Sequence, residues 1–259
     1  MTVFRQSLLL AVVILLGGCA SEGSRMASPS VGKVSVVSLL QDQLFGSHAV
    51  GAFMKTFPVA EVPWQSNDVV ARHVGDVLKN FGGELVPAQY NQDVLAKVDP
   101  KSQDKTIFQQ IALEIAKNPT QEHVTDFVIV YPLAINMYGN VSDPLGYFIS
   151  GGIVGLISER SYAYHPAYLI KLNEGLEEKL SGRSSCIVSF AIGIVDAASN
   201  QVKVQRSKVF GREELPHTLW AERFEDFSPD EKEAIKTSCL RALVKGINSA
   251  LADMGFANR

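Results

Sequence analysis

Valines and leucines alternate or run together in KVSVVSLL, directly behind Gly32, and this predicts an opening strand over Lys33–Leu40. A second extended region, His48–Trp64, sets Val50, Phe53, Phe57, Val59 and Val62 among glycines and prolines and reads as a hairpin. The period then changes from two to 3.6. Val70, Val74, Val77, Leu78 and Phe81 share one helical face, with Ser66 or Asn67 placed as N-cap and Gly82-Gly83 as the stop. Glu84–Tyr90 reads as a short strand whose Pro87 puts it near a sheet edge. Asp104–Asn118 repeats an apolar residue every four positions at Ile107, Ile111 and Ile115, flanked by Phe108 and Ala112, which predicts a second helix. Asp126–Leu133, DFVIVYPL, is nearly continuous apolar sequence, as expected of a strand buried on both faces.

Tyr162–Leu172 adds a further strand, and Ser184–Asp196 with Gln201–Phe210 form two β-rich runs around the turn Ala-Ala-Ser-Asn. Ser228-Pro229-Asp230-Glu231 combines an N-cap serine, a proline at the first helical position and a glutamate at the third. The helix it opens runs to about Met254 and buries Ile235, Cys239, Leu243, Ile247 and Leu251. The order of elements predicts an α/β fold: a mixed β-sheet with two or three helices on it, a long C-terminal helix among them, and residues 33–259 as a single domain.

Composition agrees with a folded chain. Of 259 residues 46% are hydrophobic and 20% charged, which excludes general disorder. Asp and Glu (27) exceed Lys and Arg (24), so the basic excess that a nucleic-acid binder uses to neutralise phosphates is missing and nucleic acid is not an expected partner.

The N-terminus changes the picture most. Arg5 precedes a nine-residue apolar run, Leu8–Leu16. A membrane-spanning helix needs about 20 such residues, so this run fits the core of a signal peptide covering residues 1–18. Leu16-Gly17-Gly18-Cys19 then resembles the lipobox of bacterial lipoproteins. The resemblance implies that the mature chain starts at Cys19, which carries a thioether-linked diacylglycerol and an N-acyl chain. It also implies a membrane-anchored lipoprotein facing the periplasm. Ala20 and Ser21 follow where that family places an aspartate for inner-membrane retention, which favours the outer membrane. The mature chain of 241 residues keeps 23 basic and 27 acidic side chains, a net charge of −4. Residues 19–32 are small and polar after the cysteine and read as a flexible tether, with an end-to-end distance on the order of 20 Å.

The strand and helix order, with KVSVVSLL at the start, DFVIVYPL in the middle and Gly193-Ile194-Val195-Asp196 inside a late hairpin, resembles the α/β envelope modules of the N-terminal domain of the Tol translocation protein and of the curli secretion lipoprotein. That resemblance implies a platform for protein contacts.

Side-chain chemistry adds little toward catalysis. His48, His73, His123, His165 and His217 are scattered, with no pair at i and i+4 and no CxxC or HExxH, so neither metal nor cofactor is expected. Glu122-His123 reads as a solvent-facing junction, no Gly-x-Ser-x-Gly elbow is present, and Gly146, Gly151, Gly152 and Gly155 lack the lysine of a phosphate loop. Cys186 shares a strand face with Val188, Phe190, Ile192 and Ile194, while Cys239 lies on the apolar face of the last helix. In an oxidising compartment they are either a disulfide or two separate buried thiols. Leu145–Ile157, LGYFISGGIVGLI, has no charge and four glycines. It reads either as a buried loop or strand pair, or as an interaction surface, for a partner or dipping into the membrane, through Tyr147, Phe148, Ile149, Ile153, Val154 and Leu156, rimmed by Tyr138, Tyr162, Tyr164 and Tyr168. Lys203, Arg206, Lys208 and Arg212 read as a solvated hairpin face, ahead of the alternative of contact with lipid phosphates or peptidoglycan. The expectation is a non-enzymatic envelope component, held to the membrane by its lipid anchor, that works through an envelope protein partner or self-association. A small-ligand-binding lipoprotein and an envelope enzyme are the alternatives.

Overall fold

The computed structural model describes residues 30–50, 53–87, 89–91, 94, 104–117, 123–133, 166–174, 183–216, 219 and 221–257. In chain order these residues form β1 Lys33–Ser38, β2 Gln41–Val50, β3 Phe53–Glu61, α1 Ser66–Lys79, β4 Glu84–Val86, α2 Asp104–Ala116, β5 Asp126–Pro132, β6 Pro166–Glu174, β7 Arg183–Asp196, β8 Val202–Glu214 and α3 Pro229–Asp253. A 3₁₀ turn, Phe224–Asp226, precedes α3. The fold is α/β with a mixed sheet, as the order of elements predicts.

The fourteen-residue β7 organises the sheet. One of its edges carries β8 antiparallel, from Ser185 opposite Glu214 to Val195 opposite Val202. The other edge carries two strands end to end. β5 lies antiparallel to the second half, from Phe190 opposite Pro132 to Asp196 opposite Asp126, and β6 to the first half, from Val188 opposite Tyr168 to Arg183 opposite Asn173. β1 runs parallel to β5 and its continuation β2 parallel to β6. β4 extends the sheet beside β1, and β3 extends it beside β2. Eight strands therefore occupy five lanes.

Strict alternation sorts the side chains onto two faces. Val34 and Val36 of β1, Val128 and Val130 of β5, and Val188, Phe190, Ile192 and Ile194 of β7 meet Val70, Val74 and Leu78 of α1 and Ile235, Leu243, Ile247 and Leu251 of α3. On the opposite face Val37, Phe127, Ile129, Tyr131, Ala191 and Val195 meet Ile107, Phe108, Ile111 and Ile115 of α2. Every residue of β5 is buried, because helices cover it on both sides, which is why its sequence lacks polar alternation.

The helix ends repay local inspection. At α3 the capping box forms as the sequence indicates: Ser228 Oγ accepts from the Glu231 N–H at 3.3 Å, and Glu231 Oε2 accepts from the Ser228 N–H at 2.8 Å. At α1 the sequence reading needs correction. Neither Ser66 nor Asn67 is the cap; Gln65 holds that place in a left-handed conformation with φ 55°, without a capping side chain of its own. Its role passes to Asp42 on β2, whose carboxylate accepts from the N–H groups of Gln65 at 2.8 Å and Ser66 at 3.1 Å and from the Ser66 hydroxyl. A cap 23 residues away in sequence leaves no local signature. Asp42→Ala is expected to cost about 1–2 kcal/mol, the usual value for an N-cap, seen as a lower urea midpoint with an unchanged slope.

Strand boundaries also move: β4 stops at Val86 and β8 runs on to Glu214. β2 starts at Gln41, seven residues before the predicted hairpin at His48, because Leu44 and Phe45 are both buried but on opposite faces and so do not alternate with polar neighbours. Val31 is already buried in the core under α1 and α3, and the Gly32 N–H is hydrogen-bonded to Asp126 at 3.1 Å, so the packed core takes in two residues ahead of Lys33.

Candidate functional site

Polar and reactive side chains gather at four places among the described residues. The first lies at the end of the sheet where the chain enters. Asp126 opens β5 and its carboxylate is buried; Oδ2 accepts from the Gly32 N–H and from the Thr125 hydroxyl at 3.0 Å. Oδ1 is met by the ammonium of Lys203 on β8 at 2.5 Å, which donates to it and balances its charge. Lys203 also lies 3.5 Å from Asp196, at the end of β7. A bulge between Ile194–Val204 and Val195–Val202 falls at Lys203, re-aiming a side chain that a regular strand would present elsewhere.

Two pKa directions follow. The Asp196 carboxyl is held below its ordinary value chiefly by the Ser199 N–H and then by the Ser199 hydroxyl, both at 2.8 Å, which outweigh its desolvation, with Lys203 adding to them. Partial burial on its own lowers Lys203, but its hydrogen bond and attraction to Asp126, then to Asp196, reverse that and raise it. These groups stabilise the fold in opposite pH windows. The Asp196 contribution is present above the ordinary carboxylate range and lost as pH falls through its lowered folded value. The Lys203 contribution is present below 10.5 and lost as pH rises through its raised folded value. Lys203→Met leaves Asp126 buried with its hydrogen bonds but no countercharge and is expected to cost about 2 kcal/mol, less than the loss of a fully buried partner. Melting followed from pH 7 to 11 checks this, since the alkaline loss of stability should be smaller in the variant.

The second place is the seam between α3 and the sheet, where the structure joins Cys186 and Cys239 in a disulfide with Cα atoms 5.2 Å apart. Both are fully buried. Beside it Gly211 of β8 passes under the helix so closely that an added Cβ would lie 1.9 Å from the Ala242 carbonyl oxygen.

The third is an open groove of about 400 Å³ between the end of β8 and the start of α3, lined by Glu214, Pro216, Asp230, Glu233, Ala234, Thr237, Ser238 and Arg241. It offers carboxylates and one guanidinium but pairs no nucleophile with a base. Among the described residues no group of three His, Cys, Asp or Glu stands where it could hold a metal ion.

The fourth is the outer edge of β8, which pairs with β7 alone among the described strands. The Leu215 N–H donates to the Ser184 carbonyl at 2.9 Å, so the backbone groups of Leu215, and by alternation those of Glu213, Gly211 and Val209, point toward β7. Those of Phe210 and Arg212 then point outward. The Leu133 N–H bonded to the Ser189 carbonyl at 3.2 Å agrees, because Ser189 stands opposite Phe210 and directs its carbonyl to its other neighbour. Phe210 is 55% exposed. It projects on the face opposite α3, since Val209 is buried under that helix.

The residues chosen from sequence divide accordingly. Cys186 and Cys239 are brought together. Cys19 and the surface residues Tyr147, Phe148, Ile149, Ile153, Val154 and Leu156 lie outside the described residues, as do Glu122, His165 and His217. His123 is exposed, and His73 Nε2 lies 2.8 Å from Asn248 Oδ1, joining α1 to α3. The basic stripe on β8 is not simply solvated: Lys203 serves Asp126, and Arg206 lies 3.1 Å from Asp253 of α3. Sequence reading missed Asp42, Asp126 and Phe210. Only Asp126 left a signal, as the lone carboxylate opening an otherwise apolar strand.

No family model and no curated protein matches the chain. Among solved structures it is similar to the crystal structure of a Xanthomonas campestris protein described under family DUF330, at 6% identity over 85% of this chain and 84% of that one, with a TM-score of 0.28. At that score the likeness carries no argument about fold or function.

Proposed function

We propose that the protein is an envelope lipoprotein, anchored through acylated Cys19, whose folded part works through protein contacts rather than catalysis. The observation that carries the reading is Leu16-Gly17-Gly18-Cys19 placed directly after nine apolar residues. Two or more acyl chains bury enough methylene groups, at about 0.8 kcal/mol each, for stable anchoring. In the described part no helix is long and apolar enough to cross a membrane, so nothing there competes with the lipid as an α-helical anchor. A contact role is favoured by the surface of the sheet: its interior faces are filled with apolar side chains, while β8 pairs with β7 alone among the described strands and carries an exposed phenyl ring.

The test is affinity capture from detergent-solubilised membranes, comparing the native chain with Cys19→Ala. The reading expects a reproducible set of envelope proteins with the native chain and their loss in the variant. Identical captures from both, or none from either, would sink it.

A further inference from the structure

Among the described residues Asp126 is the one buried side chain that carries a charge, and it stands where the chain enters the fold. We propose that it is a latch: with Lys203 it fastens the start of β1 to the sheet, so that the tether keeps a fixed length and β1 does not peel when the anchor is pulled. The pull rests on the anchored reading above. The latch is a property of residues 31–38 and their neighbours and stands without it.

The first residues of a domain fray unless something ties them down. Here the ties are dense. Val31 is buried under α1 and α3. The Gly32 N–H donates to Asp126 Oδ2 at 3.1 Å, and the Gly32 carbonyl accepts from the Glu84 N–H of β4 at 2.9 Å. The Lys33 carbonyl accepts from the Thr125 N–H at 2.8 Å. The Thr125 hydroxyl lies between the two, 3.1 Å from the Lys33 carbonyl oxygen and 3.0 Å from Asp126 Oδ2, and a Cβ on residue 32 would stand 2.7 Å from it. Glycine leaves the hydroxyl room to close over the chain.

The carboxylate adds what the backbone ladder does not supply. Oδ2 holds the incoming chain, while Oδ1 takes the Lys203 ammonium at 2.5 Å, from β8 on the far side of β7, and Lys203 stands 3.5 Å from Asp196 at the end of β7. One side chain thereby links the entering segment to β5, β7 and β8. A neutral acceptor would satisfy the Gly32 N–H with less desolvation, and a buried ion pair is a poor source of net stability. The effect of the charge is local. Lifting Gly32 leaves a buried carboxylate short of a donor, and that penalty opposes the first step of peeling. Beyond it β1 runs between two parallel partners, β4 as far as Val86 and β5 as far as Val130, which open only after the entry has opened. With Val31 inside the core, residues 19–30 remain as tether and reach at most on the order of 40 Å from the lipid.

The experiment is native-state hydrogen exchange over a urea series below the unfolding transition, on the full chain purified from membranes into detergent. It compares the amides of residues 32–35 with those of residues 190–195 in β7, in the wild type, in Lys203→Met and in Thr125→Val. In the wild type the two sets should exchange together with one urea dependence, since neither opens before the whole fold does. In both variants the amides of residues 32–35 should exchange at least about tenfold faster than those of β7 and lose their urea dependence, the mark of a local opening. Wild-type amides at 32–35 that already exchange without urea dependence overturn the latch. So do variants in which both sets accelerate equally, because the pair would then be a general stabiliser of the fold. The same pattern is required in Cys19→Ala, so a chain that proves to be unacylated removes the pull and leaves the exchange result as a test of the latch alone.

Discussion

Replacing Gly211 with alanine is expected to destabilise the protein by at least about 3 kcal/mol, at the upper end of what overpacking a core costs. The cause is local and rigid. The new Cβ would lie 1.9 Å from the carbonyl oxygen of Ala242, 2.7 Å from its carbonyl carbon and 2.7 Å from Val188 Cγ2. Two of these neighbours are helix backbone, which cannot rotate away as a side chain can. Helix α3 has to lift, and lifting it loosens Ile235, Leu243, Ile247 and Leu251 from β7 while the disulfide at Cys239 resists the movement. Gly246 is the internal control. A Cβ there would meet the Phe190 ring at 3.1 Å and the Gly211 backbone nitrogen at 3.3 Å, contacts that a few tenths of an ångström relieve, so Gly246→Ala should cost about 1 kcal/mol or less once the lower entropy of the unfolded chain is counted. Urea unfolding of the two variants checks the ratio. A Gly211→Ala midpoint close to that of Gly246→Ala would mean that α3 does not approach the sheet as closely as described.

The second large effect belongs to the disulfide. Cys186 and Cys239 are 53 residues apart, and the chain-entropy treatment of a closed loop of that size gives about 4 kcal/mol of stabilisation. Cys186→Ala with Cys239→Ala should lose most of this, together with a small packing term from two fully buried sulfurs. Because both sulfurs are shielded by β7 and α3, a mild reductant should leave the native protein unchanged and act only as it unfolds. Comparing urea midpoints with and without reductant, and counting thiols in unreduced denatured protein, gives a two-part check. Two free thiols in that count, beyond any at Cys19, would remove the bridge and the effect with it.

How far the fold could be read from sequence depended on how local its causes are. The three helices announce themselves because each buries one stripe: Val70, Val74 and Leu78 in α1, Ile107, Ile111 and Ile115 in α2, and Ile235 through Leu251 in α3 are the residues that touch the sheet. β5 and β7 are equally legible. β2 was half missed, because a strand buried on both sides of the pleat at Leu44 and Phe45 shows no alternation. The lane structure of the sheet was not legible at all. That β5 and β6 share one edge of β7, and that β1 and β2 continue one another beside them, depends on register between segments far apart in sequence. The Asp42 cap and the Asp126–Lys203 pair escaped for the same reason: each joins residues from elements separate in sequence, and an aspartate that caps a distant helix looks like any other aspartate. The cysteine pair was legible only as two inward-facing residues. Their meeting needed the position of α3 over β7.

The central claim is that the chain is held to a membrane by lipid at Cys19. The measurement that tests it most directly is mass spectrometry of the N-terminal peptide of the protein purified from membranes. The account predicts a chain that begins at Cys19, lacks residues 1–18, and carries the added mass of a diacylglyceryl group with an N-acyl chain. An N-terminal peptide in which Cys19 is unmodified, or one that retains residues 1–18, would contradict it.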